Sequence, residues 1–158
     1  MEDLIFRHMQ TVRELTLKCL DDTPEEIAGI VPGGYPNHIH WNFGHILFIQ
    51  ERLALEVAGE EMELPEKYGI YFAAGTRPSE WKGTPPTLIE IREALDTQTE
   101  RLQKLRTGRL DEPLPEPFTN RMGLTFRMTG ETLLFSFYHE ALHLETVRQM
   151  RKLIEAGL

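Results

Sequence analysis

Apolar residues recur in four stretches at helical spacing, separated by segments that proline and glycine interrupt. From Asp3 to Leu20, the residues Ile5, Met9, Val12, Thr16 and Cys19 fall at steps of three and four, which places them on one helical face. Asp21-Asp22-Thr23-Pro24 ends this segment, and Asn37 stands as an N-cap before the next. The second segment, His38 to Ala58, is apolar nearly all the way round, the signature of a helix buried at the centre of a bundle. The third opens on a capping box, Thr87 with Glu90, and carries Leu88, Ile91, Leu95, Gln98, Leu102 and Leu105 as a bundle seam. The fourth runs from Gly130, capped by Thr129, to Ala156. Connections 59–86 and 109–128 are long for a compact domain, and the aromatics of the first (Tyr68, Tyr71, Phe72, Trp81) suggest that it packs over the bundle. The pattern predicts an all-α fold: a single-domain four-helix bundle, residues 1–158, with long crossover connections.

The chain has 158 residues, with 25 acidic against 17 basic side chains and a formal net charge of −8. That balance argues against a nucleic-acid partner, because phosphate binding needs clustered Lys and Arg. One cysteine, Cys19, excludes a disulfide framework and points to a reducing, cytoplasmic setting, with Cys19 as core filler. Met1-Glu2-Asp3 lacks the basic start and apolar stretch of a secretory signal, and no apolar run is long enough for a membrane span.

Chemistry enters through the histidines. His139 and His143 sit one turn apart, on a stripe with Phe135, Leu142, Thr146, Val147, Met150, Leu153 and Ile154 that should face the bundle interior. Buried imidazoles need partners, and a metal ion satisfies an i,i+4 pair at once. His45 lies in the most apolar segment and is the natural third ligand, and Gly44 beside it leaves room for a close neighbour. Three imidazoles with no obvious fourth ligand leave coordination positions free, the arrangement of a catalytic site. His8 flanks the first helix's apolar stripe, either at the cavity wall or as a partly exposed polar residue. Trp41, Ser136, Glu140 and Thr146 are candidates for the pocket or for orienting the ligands, with Ser136 and Thr146 nearer the histidine stripe than Glu140.

Two patterns mislead. His139-Glu140-Ala141-Leu142-His143 matches H-E-x-x-H, but no third ligand follows of the kind zinc proteases use. His38-Ile39-His40 would converge on a strand, whereas the flanking pattern is helical, where i and i+2 diverge. Leu133, Leu134, Phe137 and Leu144 form a second apolar face on the last helix, a candidate contact for another subunit.

Taken together, Trp41-Asn42-Phe43-Gly44-His45-Ile46, the pair His139 and His143, and the connection Tyr71-Phe72-Ala73-Ala74-Gly75-Thr76 resemble the DinB-like superfamily. These are four-helix metalloproteins that include thiol-dependent S-transferases. The resemblance spans essentially the whole chain. It implies a divalent metal, nickel or zinc, on His45, His139 and His143, and pairing into a homodimer. It also implies transfer of a low-molecular-weight thiol, or hydrolysis, on a small-molecule substrate. Many relatives continue after the last histidine with Gly-Gln, where this chain has Leu144-Glu145-Thr146. The alternative is a non-catalytic, stress-related bundle that binds a metal.

Overall fold

A computed structural model describes all 158 residues. The chain runs through α1 (Glu2–Asp21), the single turn α2 (Glu25–Ala28), α3 (Ile39–Ala54), the short α4 (Lys67–Phe72) and α5 (Leu88–Arg106). A two-stranded antiparallel ribbon follows, β1 (Pro113–Thr119) and β2 (Thr125–Met128), which leads into the long α6 (Thr129–Glu155). The four long helices form the bundle. α3 packs between α5 and α6, and α1 closes the far side against the same two helices.

Helix boundaries follow local chemistry, and three differ from expectation. The N-cap of α3 is His38, not Asn37: its extended backbone lets Nδ1 accept the Trp41 N–H at 3.0 Å. α3 ends at Ala54 rather than Ala58, because Leu55 leaves helical geometry and turns fully inward, and a 3-10 turn (Glu56–Ala58) completes the segment. At the start of α6, the cap position is Met128. Thr129 instead donates its hydroxyl to Arg109 O at 2.5 Å, and Glu131 accepts the N–H groups of Arg127 and Met128 at 2.6 and 3.0 Å. The capping box of α5 forms as expected, with Thr87 and Glu90 each accepting the other's backbone N–H.

The connection 109–128 holds the β-ribbon, which helical periodicity did not anticipate. Its turn is built on Asn120, whose Oδ1 accepts the N–H groups of Met122 and Leu124, with Gly123 in the left-handed region at φ 80°. Register pairs Phe118 with Phe126 and Thr119 with Thr125, then breaks before Pro113 pairs with Met128. Pro115 and Pro117, which offer no N–H to a ladder, lie in the interrupted stretch.

The interior is layered. One apolar cluster gathers Ile39, Phe43, Leu47, Phe72, Ile91, Leu95 and Val147; a second gathers Phe6, Met9, Leu55, Leu102, Leu133 and Phe137. Between them lies a polar layer with one or two residues from each long helix. Arg13 donates to Glu140 Oε1 at 2.9 Å, Gln50 Oε1 at 2.6 Å, Gln98 Oε1 at 3.1 Å and Leu95 O at 2.7 Å. Gln98 passes the chain on to Glu51 at 2.8 Å, which also receives Arg101 at 2.6 Å. Of the second apolar face expected on the last helix, Leu133, Phe137 and Leu144 are buried within the chain and Leu134 stays exposed. Leu142, expected inside, is instead about half exposed. No helix is long and apolar enough to cross a membrane.

Candidate metal centre

Three imidazoles converge where α3 and α6 cross. One ligand nitrogen each from His45, His139 and His143 lies within 4.8 Å of the others. Ring centroids stand 5.1 Å apart for His45–His139, 4.7 Å for His45–His143 and 4.5 Å for His139–His143. Metal–imidazole bonds are roughly 2.0–2.1 Å long, so one cation held by all three requires their nitrogens to draw closer together than that 4.8 Å bound.

Each residue of the Trp41–His45 segment has a task at this site. The Asn42 amide donates through Nδ2 to His38 O at 2.9 Å, which leaves Oδ1 to accept from His143 Nδ1 at 2.8 Å. His45 Nδ1 meets Phe72 O at 2.6 Å. Because a carbonyl only accepts, both Nδ1 atoms carry the proton, and both Nε2 lone pairs are free for a metal. Trp41 stacks on the His45 ring at 4.3 Å and 16°, its own Nε1 tied to Thr76 Oγ1 at 2.9 Å. Gly44 explains how Phe72 comes so close: a Cβ there would sit 2.4 Å from the Phe72 ring. Asn42 and the Phe72 carbonyl escaped sequence reasoning. An amide one turn from nothing charged carries no metal signal, and a backbone carbonyl 27 residues away carries none at all.

Burial holds all three rings neutral. It is the largest cause in each case, and it lowers His45 to about 3, His139 to about 2 and His143 to about 4. The neighbouring His143 pushes His45 and His139 the same way, and the positive charge of Arg121 adds to the effect on His45. Neutral imidazole is the form that binds metal, so no proton has to be expelled at neutral pH. The donor set fits a divalent transition metal: three nitrogens, two pre-oriented, and no carboxylate or thiolate among them.

His45 and His139 form part of the wall of a pocket of about 560 Å³. Phe48, Ile49, Arg52 and Leu53 of α3 line one side and Phe135 of α6 another, while Phe118–Met122 of the ribbon covers it.

The other candidate residues stand elsewhere. Glu140 is buried against Arg13 in the polar layer, turned away from the histidines, so it is not placed as the general base that an H-E-x-x-H protease requires. Ser136 belongs to the same layer, its hydroxyl donating to Leu133 O at 2.6 Å. Thr146 turns its hydroxyl back onto Leu142 O at 2.9 Å, and His8 is exposed with its ring 5.8 Å from Phe137. His38 and His40 do meet, with rings 5.6 Å apart, because His38 lies outside the helix. One ring nitrogen of each is committed, His38 Nδ1 to the Trp41 N–H and His40 Nε2 to Pro86 O. Cys19 is buried in the core, where burial pushes its thiol pKa up.

Comparison with curated proteins finds no match to the chain. A family model described as the DinB superfamily matches residues 8–147, a span that includes all three histidines and the whole segment that orients them. On that match, across most of its length, the chain belongs to the DinB superfamily.

Proposed function

We propose that this protein is a metal-dependent enzyme. A divalent transition metal, nickel or zinc, held by His45, His139 and His143, serves to activate a low-molecular-weight thiol or water for S-transfer or hydrolysis on a small molecule. The observation that carries this reading is the one-sidedness of the site: three neutral imidazoles with no fourth protein ligand, two of them, His45 and His139, on the wall of a pocket of about 560 Å³. A metal serving stability alone would be expected to have its coordination closed by protein.

When bound, the cation supplies Lewis acidity, which lowers the pKa of water or a thiol. The chain's own contribution is orientation and an apolar lining. Asn42 and Phe72 O hold two rings by Nδ1, Trp41 covers one face of His45, and Phe48, Phe118 and Phe135 give the pocket beside them an apolar lining. A cytoplasmic setting suits the lone, buried Cys19. Homodimer pairing is part of the same reading. Leu134, Tyr138 and Leu142, at successive turns of α6 and 46–51% exposed, offer an apolar strip for it. Light scattering at micromolar concentration should then give twice the chain mass, with Tyr138→Glu shifting it to the monomer; a monomeric wild type removes the pairing.

Elemental analysis of purified protein tests the site: near-stoichiometric metal is expected, falling sharply in His45→Ala. Turnover of a thiol and a generic electrophile by the loaded protein tests catalysis. Stoichiometric metal without turnover across several thiols would favour the non-catalytic alternative.

A further inference from the structure

The chain as a whole is acidic, yet the pocket beside the histidines is not. Its charged lining residues are Arg52, Arg121 and Glu56. Glu56 is taken up by Arg52 at 2.6 Å, and that guanidinium also lies 5.6 Å over the Phe118 ring. Arg121, at the tip of the ribbon, is different. It enters no ion pair; one of its N–H groups meets Ala74 O at 3.1 Å, which leaves the rest of its fork of donors uncommitted. Its charge is close enough to act on His45. An uncompensated cation in the lining of a pocket that also carries Phe48, Phe118 and Phe135 makes a site for an anion attached to an apolar body.

We infer that the β-ribbon is the substrate-recognition arm, and that Arg121 selects small molecules bearing a carboxylate, whose apolar part lies against the aromatic wall. This rests on the proposed function in one respect only, that the pocket is where the substrate sits. An arginine–carboxylate pair would also fix which end of the substrate faces the histidines, since the guanidinium fork binds a carboxylate in a defined orientation.

Calorimetric titration with 3-phenylpropanoate and its neutral isostere 3-phenylpropanamide tests the inference, on metal-free and on zinc-loaded protein. The acid should bind about tenfold more tightly than the amide in both forms, the scale of one charge-assisted pair. Arg121→Met should bring the ratio to about one, and Arg121→Lys should restore part of it. Arg121 is exposed and remote from the core, so neither change threatens the fold. Equal affinities in the wild type, no binding of either compound at 10 mM (about the weak end of specific recognition), or a preference that survives Arg121→Met would overturn the inference. A preference seen only with zinc would also overturn it, by assigning the carboxylate to the metal, and would leave the metal reading standing. The predicted preference in a protein that takes up no stoichiometric metal would do the reverse.

Discussion

At the scale of single residues, the metal centre depends on groups that never touch the metal. Gly44 is required because Phe72 occupies the space of its missing side chain, and Phe72 in turn presents the carbonyl that orients His45. Gly44→Ala should displace that ring and weaken metal binding about 10–100-fold, the usual cost of losing an orienting partner. Competition with a chromogenic chelator measures it, and an unchanged affinity would show that the Phe72 carbonyl is dispensable. Asn42→Leu should cost a comparable factor, because His143 then loses the acceptor that holds its Nδ1 proton. His8→Ala should leave affinity unchanged, since its ring lies by Phe137 and outside the site.

At the scale of elements, the polar layer sets how α6 is rotated against the rest of the bundle. Glu140 sits between His139 and His143 in sequence, so anchoring it to Arg13 on α1 turns the two histidines toward α3. Arg13→Met leaves a carboxylate buried and unpaired, and should lower stability by about 3–5 kcal/mol in urea unfolding. The double change Arg13→Met with Glu140→Leu should recover most of that loss; a double variant as unstable as the single would mean that the pair's shape, and not its charge, is what matters. The long helices were legible because an apolar seam at steps of three and four survives in a single sequence, as Ile91, Leu95, Gln98 and Leu102 show. The ribbon was not: Pro113, Pro115 and Pro117 mimic a loop, and its pairing depends on a turn made by the Asn120 side chain. The three ligands could be found because buried imidazoles are conspicuous among aliphatic residues. Glu140 went to the layer rather than the site because its partner, Arg13, lies 127 residues away, and helical geometry alone cannot tell which neighbour claims a carboxylate.

At the scale of the whole molecule, burial of imidazole makes the metal-free protein acid-sensitive. His38 is held to about 4, His45 to about 3, His139 to about 2 and His143 to about 4, and His40 is lowered as well, each chiefly by burial. In the unfolded chain all five titrate near 6.5. Above that pH they are neutral in both states and confer no pH dependence. As the pH falls below about 6.5, the unfolded chain takes up protons that the folded one refuses, so stability declines by about 1.4 kcal/mol per pH unit for each such proton, until the folded values near 4 and below are reached. Urea midpoints of the metal-free protein should therefore be level from pH 8 to 7 and fall steeply from 6.5 to 5. A level profile down to pH 5 would mean that these rings are far better solvated than their burial implies. The central claim remains that three imidazoles from α3 and α6 hold one cation with a side left open. X-ray absorption at the metal edge of the loaded protein reads this directly. The expected result is about three imidazole nitrogens at roughly 2.0–2.1 Å plus a further light atom not supplied by the protein, with the imidazole signal reduced in His45→Ala. A spectrum with one imidazole or none, or one that His45→Ala leaves unchanged, would contradict the account.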